Sequence, residues 1–90
     1  MERIGSEAIL KVNLENIDQY EQIYLKRSNN TTDDFRQVRL INKEQIHDLA
    51  INRIIKDKYP LPGNIDSYYK VIAISKEGVY KLFPCIKLNR

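Results

Sequence analysis

Residues that usually mark export, metal binding or covalent chemistry are nearly missing from this chain. A single cysteine, Cys85, excludes an intramolecular disulfide and fits a reducing compartment. Histidine also occurs once, at His47, with no His or Cys four residues away, so zinc has no ligand spacing to use. The three glycines, Gly5, Gly63 and Gly78, stand apart, which excludes a phosphate-cradling loop. No apolar run approaches the roughly 20 residues that cross a bilayer, and the first seven residues lack the apolar stretch of a secretory signal. The expectation is a cytoplasmic, non-enzymatic protein with no cofactor, no metal and no membrane contact. A His47–Cys85 nucleophilic pair has no motif behind it, and Asp33-Asp34 falls in a polar stretch where acids cap or solvate.

What remains is the composition of a folded domain: 42% apolar and 30% charged residues in a chain of 90, long enough for one modest core. Residues 1–90 are therefore expected to form a single domain. The bias toward Ile, Lys, Asn and Tyr is the kind AT-rich codons produce, which hints at a low-GC bacterium or a phage or mobile element within one. Charge is uneven, with 7 basic and 8 acidic side chains in residues 1–45 against 8 and 4 in residues 46–90.

Residues 8–14 alternate, placing Ala8, Leu10, Val12 and Leu14 on one side of a strand. Asn16 and Gln19 suit a capping box, and the spacing of Ile17, Tyr20, Ile23 and Tyr24 predicts a helix over residues 16–27. A polar loop follows to Asp34. Residues 35–41 predict a second strand with Val38 and Leu40 inward, and Asn42 with Gln45 repeats the cap. A second helix to about residue 59 would bury Ile46, Leu49, Ala50 and Ile54, a face that Ile51 and Ile55 could widen, with Pro60 ending it. The two strand–helix segments superpose with a shift of 26 residues, too few units for a solenoid. Beyond a proline-set turn, residues 68–75 and 79–88 form a hairpin through Lys76-Glu77-Gly78, with Pro84 at a bulge or edge.

Alternation along the last strand puts Tyr80, Leu82, Ile86 and Leu88 inside and Lys81, Phe83, Cys85 and Lys87 outside. Lys81, Phe83 and Lys87 then form a basic, aromatic-bearing face that Lys11 and Arg39 could extend, the pattern that single-stranded nucleic acid binding uses. Tyr59, Tyr68 and Tyr69 surround the proline turn, a second candidate contact, because tyrosine is enriched where proteins meet.

The order β-α-β-α-β-β predicts an α+β two-layer sandwich, a mixed or antiparallel sheet with two helices on one face. Sheet edges favour a homodimer. The leading expectation is a protein-binding factor, such as a phage or mobile-element inhibitor or regulator of a host complex that handles nucleic acid or defence. Its partner surface would comprise Tyr59, Tyr68, Tyr69, Lys81, Phe83 and Lys87. The rivals are an RNA or single-stranded DNA binder using Lys11, Arg39, Lys81, Phe83 and Lys87, and a metal-independent, toxin-type endoribonuclease.

Overall fold

Alternation, not helical spacing, organises this protein. In the computed structural model, which describes residues 1–12, 17–32 and 34–88, two antiparallel sheets face one another across a shared core. The smaller has the order β1 (Glu2–Ile4), β2 (Glu7–Lys11), β5 (Ile54–Asp57). The larger runs β4 (Arg36–Ile41), β3 (Tyr20–Ser28), β6 (Tyr68–Ser75), β7 (Tyr80–Leu82), and β8 (Ile86–Lys87) also pairs with β6. A short helix, α1 (Lys43–Asn52), links β4 to β5.

Each sheet turns one row of every strand inward. Ala8, Leu10 and Val12 of the β2 segment and Ile55 of β5 meet Ile23 and Leu25 of β3 and Tyr69, Val71 and Ala73 of β6. Ile46 and Leu49 of α1 join the same core, so the helix closes the sandwich beside β4.

With eight strands, one ten-residue helix and a single 3-10 turn among the described residues, the chain is a β-sandwich, and the expected α+β layer with two helices on one face is corrected. The first predicted helix is instead a single 3-10 turn, Ile17–Gln19, followed by the nine-residue β3. Ile17, Tyr20 and Ile23 are buried, as a helical stripe would be. A register shift between Tyr20 and Gln22 lets residues three apart face the same way, so a bulge imitates a helical period. Beyond it the period of two takes over: Leu25 is buried, and Tyr24 turns outward opposite Ile72.

The second helix has its expected capping box, with Asn42 accepting from the Gln45 N–H at 3.1 Å. It stops early because Arg53 adopts the left-handed conformation (φ 58°) and donates its N–H to the Leu49 carbonyl at 2.8 Å. The β-branched pair Ile54-Ile55 then enters a strand. Asn13, Leu14, Asn16 and Asp33 lie outside the described residues, as does the side chain of Ala50.

The final hairpin forms over the expected span, but its faces change phase midway. Leu82 lies opposite Ile72 and Ile86 opposite Tyr69. Four residues on one strand thus match three on the other, and the extra residue sits at Pro84-Cys85. Before this bulge the phase is the reverse of the expected one: Tyr80 and Leu82 point outward, 67% and 71% exposed, and Phe83 packs toward the core. After it Leu88 is buried and Ile86 half-buried, as expected. In β4, Leu40 is exposed and Ile41 is the buried residue. No helix among the described residues is long and apolar enough to cross a membrane.

Candidate functional site

The bulge splits the expected basic strand face. Lys87 lies opposite Tyr68 on the outer side of the large sheet, its ammonium 5.9 Å from the Tyr68 ring and 3.7 Å from Asp66 Oδ1. Lys81 lies opposite the buried Ala73, on the side facing the small sheet, with its ammonium 5.4 Å from the Phe83 ring. Lys11 belongs to the small sheet. Arg39 sits on the far edge strand β4 and donates to the Lys56 carbonyl at 3.1 Å, tying the edges of the two sheets together. Lys11, Phe83 and Lys81 thus gather at one margin between the sheets, whereas Lys87 and Arg39 lie elsewhere.

The expected tyrosine cluster separates as well. Tyr59 is 85% exposed, and Tyr68 is half-buried on the outer face. Tyr69 is fully buried, so it offers a partner nothing. Its hydroxyl donates to Asp57 Oδ2 at 2.6 Å, and Arg27 Nη1 donates to the same oxygen at 2.7 Å. The Tyr59 N–H donates to Asp57 Oδ1, and Arg27 also reaches the Tyr59 carbonyl. Burial, with the adjoining Asp57 carboxylate, pushes the Tyr69 hydroxyl well above its usual value. This network ties β5 and the start of the proline turn to β3 and β6. It is built to hold structure.

What sequence reasoning missed is the outer face of the large sheet. Register carries one row across four strands: Leu40, Tyr24, Ile72 and Leu82. The next row toward the hairpin turn adds Gln22, Ile74 and Tyr80. In the other direction Gln37, Lys26 and Lys70 lie abreast, and Lys70 covers the Phe35 ring at 4.2 Å. Between these rows is a hollow of about 360 Å³ lined by Lys26, Phe35, Lys70, Ile72, Leu82 and Phe83. None of these rows contains an acid. The missed signal was the alternation of Tyr24 and Lys26 with Ile23 and Leu25, hidden by the helical spacing that precedes it in the chain.

His47 is exposed on α1, beside β3 and β4, whereas Cys85 is exposed in the bulge of the opposite edge strand. The sheet order keeps them apart. Among the described residues, no three His, Cys, Asp or Glu side chains gather as a metal site would need.

Two sheets in the orders β1-β2-β5 and β4-β3-β6-β7 set the comparison with solved structures. The crystal structure of a Fn3-like protein from Clostridium thermocellum matches with a TM-score of 0.68, over 94% of this chain and 77% of that one. The fold is Fn3-like. Sequence identity is 20%, so the likeness concerns the fold alone. No family model and no curated protein matches the chain.

Proposed function

We propose that this Fn3-like domain is a non-enzymatic protein-binding module whose contact surface is the outer face of the large sheet, and that its partner presents an acidic surface with apolar residues at its centre. The row from Leu40 to Leu82, crossing four strands and flanked by Lys26 and Lys70 with no acid in either row, carries this reading. An exposed apolar centre inside a polar rim is the anatomy of a protein interface. The lysines would speed encounter and select for opposite charge. A second copy meeting this face with its own would place like charges together, so self-association through it is disfavoured.

Direct nucleic acid binding is the second reading, because lysines on a sheet face also suit phosphates. Phe35, Tyr68 and Phe83 each have a lysine ammonium close by, which leaves Tyr24 and Tyr80 as the rings of this face that could stack on bases. The exposed thiol of Cys85 fits a reducing compartment, and the cytoplasm is the proposed location. A role as a phage or mobile-element regulator rests on composition and adds nothing to the geometry.

The test compares the wild-type chain with a Lys26→Glu/Lys70→Glu/Leu82→Asp variant as baits in nuclease-treated lysate of the source organism. A Tyr59→Ala bait serves as control. The reading expects an acidic protein held by wild type and by the control but lost from the triple variant, with unchanged circular dichroism. Retention by the triple variant would overturn it. A direct titration with oligo-uridine decides the second reading, which requires affinity that falls steeply with salt.

A further inference from the structure

The outer face of the small sheet carries a charge pattern that complements itself. Alternation turns Ala8, Leu10, Ile55 and Asp57 inward and leaves Glu2 and Ile4 of β1, Glu7, Ile9 and Lys11 of β2, and Ile54 and Lys56 of β5 on the outside. Register fixes their places. Ile4 lies opposite Glu7, then Glu2, Ile9 and Lys56 lie abreast across the three strands, and Lys11 lies opposite Ile54. The isoleucines therefore run corner to corner, from Ile4 through Ile9 to Ile54, with Ile4 56% and Ile54 37% exposed. A hollow of about 250 Å³ opens between them.

One acid and one base flank this diagonal on each side. Glu7 and Lys56 stand on one side with their charged groups 3.9 Å apart, and Glu2 and Lys11 stand on the other. Two sheets can pack face to face with their strands crossing at near right angles. With a two-fold axis in the interface and perpendicular to the diagonal, Ile9 meets Ile9 of the other copy, Ile4 meets Ile54, Glu7 meets Lys56 and Glu2 meets Lys11. Turning the axis along the diagonal would instead put Glu7 on Glu2 and Lys11 on Lys56. Aligned strands would put either Glu7 on Glu7 with Lys11 on Lys11, or Glu2 on Glu2 with Lys56 on Lys56. Only the first arrangement opposes unlike charges throughout these rows. Lys58, beyond the ladder, is exposed, and its stem can carry the charge into solvent.

From this pattern we propose that the outer face of the small sheet is the interface of a weak, two-fold symmetric homodimer with crossed strands. A two-fold interface requires a patch that complements itself, whereas a foreign partner does not. Three strands about 4.8 Å apart and up to five residues long offer roughly 250 Å² of sheet, well short of the roughly 800 Å² per partner of a stable complex. The dimer is accordingly transient, with a Kd of about 0.1–1 mM. The outer faces of the two large sheets then point away from each other, so the site proposed there stays open. The dimer does not depend on that site.

Sedimentation equilibrium between about 20 μM and 1 mM protein spans the expected Kd and tests the dimer directly. Wild type should pass from monomer toward dimer over this range, and less so in high salt. Ile4→Ser, at an exposed position, should abolish association without changing the circular dichroism. Glu7→Lys should weaken it about tenfold or more. Adding Lys56→Glu should restore it, because the exchanged charges meet again across the axis. Adding Lys11→Glu instead should not, although the two double variants carry the same net charge. A wild-type monomer at the highest concentration, association that survives Ile4→Ser, or equal behaviour of the two double variants would each overturn the proposal. The first of these outcomes would leave the isoleucine diagonal to a foreign partner.

Discussion

Tyr69 shows how much one hydroxyl can organise. Its ring fills the core and its oxygen meets an Asp57 carboxylate that also serves Arg27 and the Tyr59 backbone. A hydrogen bond to a buried charge contributes about 1.5–3 kcal/mol, so Tyr69→Phe should destabilise by that amount in urea unfolding. The pH dependence follows from the raised hydroxyl. Above roughly pH 10 the tyrosine of the unfolded chain loses its proton, whereas buried Tyr69 keeps its own. The unfolded state then binds fewer protons than the folded one, and stability falls as pH rises. Tyr69→Phe lacks this contribution, so its stability should decline less steeply above pH 10 than that of wild type. Equal slopes would mean that Tyr69 ionises normally in the fold.

Among the elements, the ones legible in the sequence are those whose local signals agree with one another. The capping box at Asn42, the alternation in β2 and the glycine-bearing turn after β6 can be read from residue order alone. The end of α1 cannot, because an arginine rather than a glycine takes the left-handed position. Non-glycine residues there cost on the order of 1 kcal/mol. Arg53→Gly should therefore raise the melting temperature by about 4 °C or more. A fall would mean that the Arg53 side chain contributes more than its backbone costs. Bulges are the other hidden feature. One makes β3 look helical, and the one at Pro84 inverts the faces of β7, because a single extra residue shifts every later side chain. The outer face of the candidate site is obscured by both. Leu82→Ala should accordingly cost well under 1 kcal/mol, as surface changes do. Leu25→Ala, at a fully buried position, should cost about 2–5 kcal/mol. Comparable losses at the two positions in thermal melts would restore the inward phase for Leu82.

At the scale of the whole molecule, both sheets and the helix contribute to one core, and neither sheet has an apolar interior of its own. The small sheet supplies Ala8, Leu10 and Ile55, which are buried only because Ile23, Leu25 and Val71 cover them. Loss of either layer exposes the other, so unfolding should be a single cooperative event. Strand pairing joins distant segments: β2 with β5, and β3 with β6. Closing such loops costs entropy before any contact compensates it. Refolding should therefore take milliseconds to seconds rather than the microseconds of local helical folds. Near-ultraviolet tyrosine circular dichroism reports on buried Tyr20 and Tyr69 in the large sheet, and amide exchange at Ile9 and Ile55 reports on the small one. The two should lose structure at the same denaturant concentration. If the small sheet opened first while the tyrosine signal persisted, the core would not be shared in the way its packing implies.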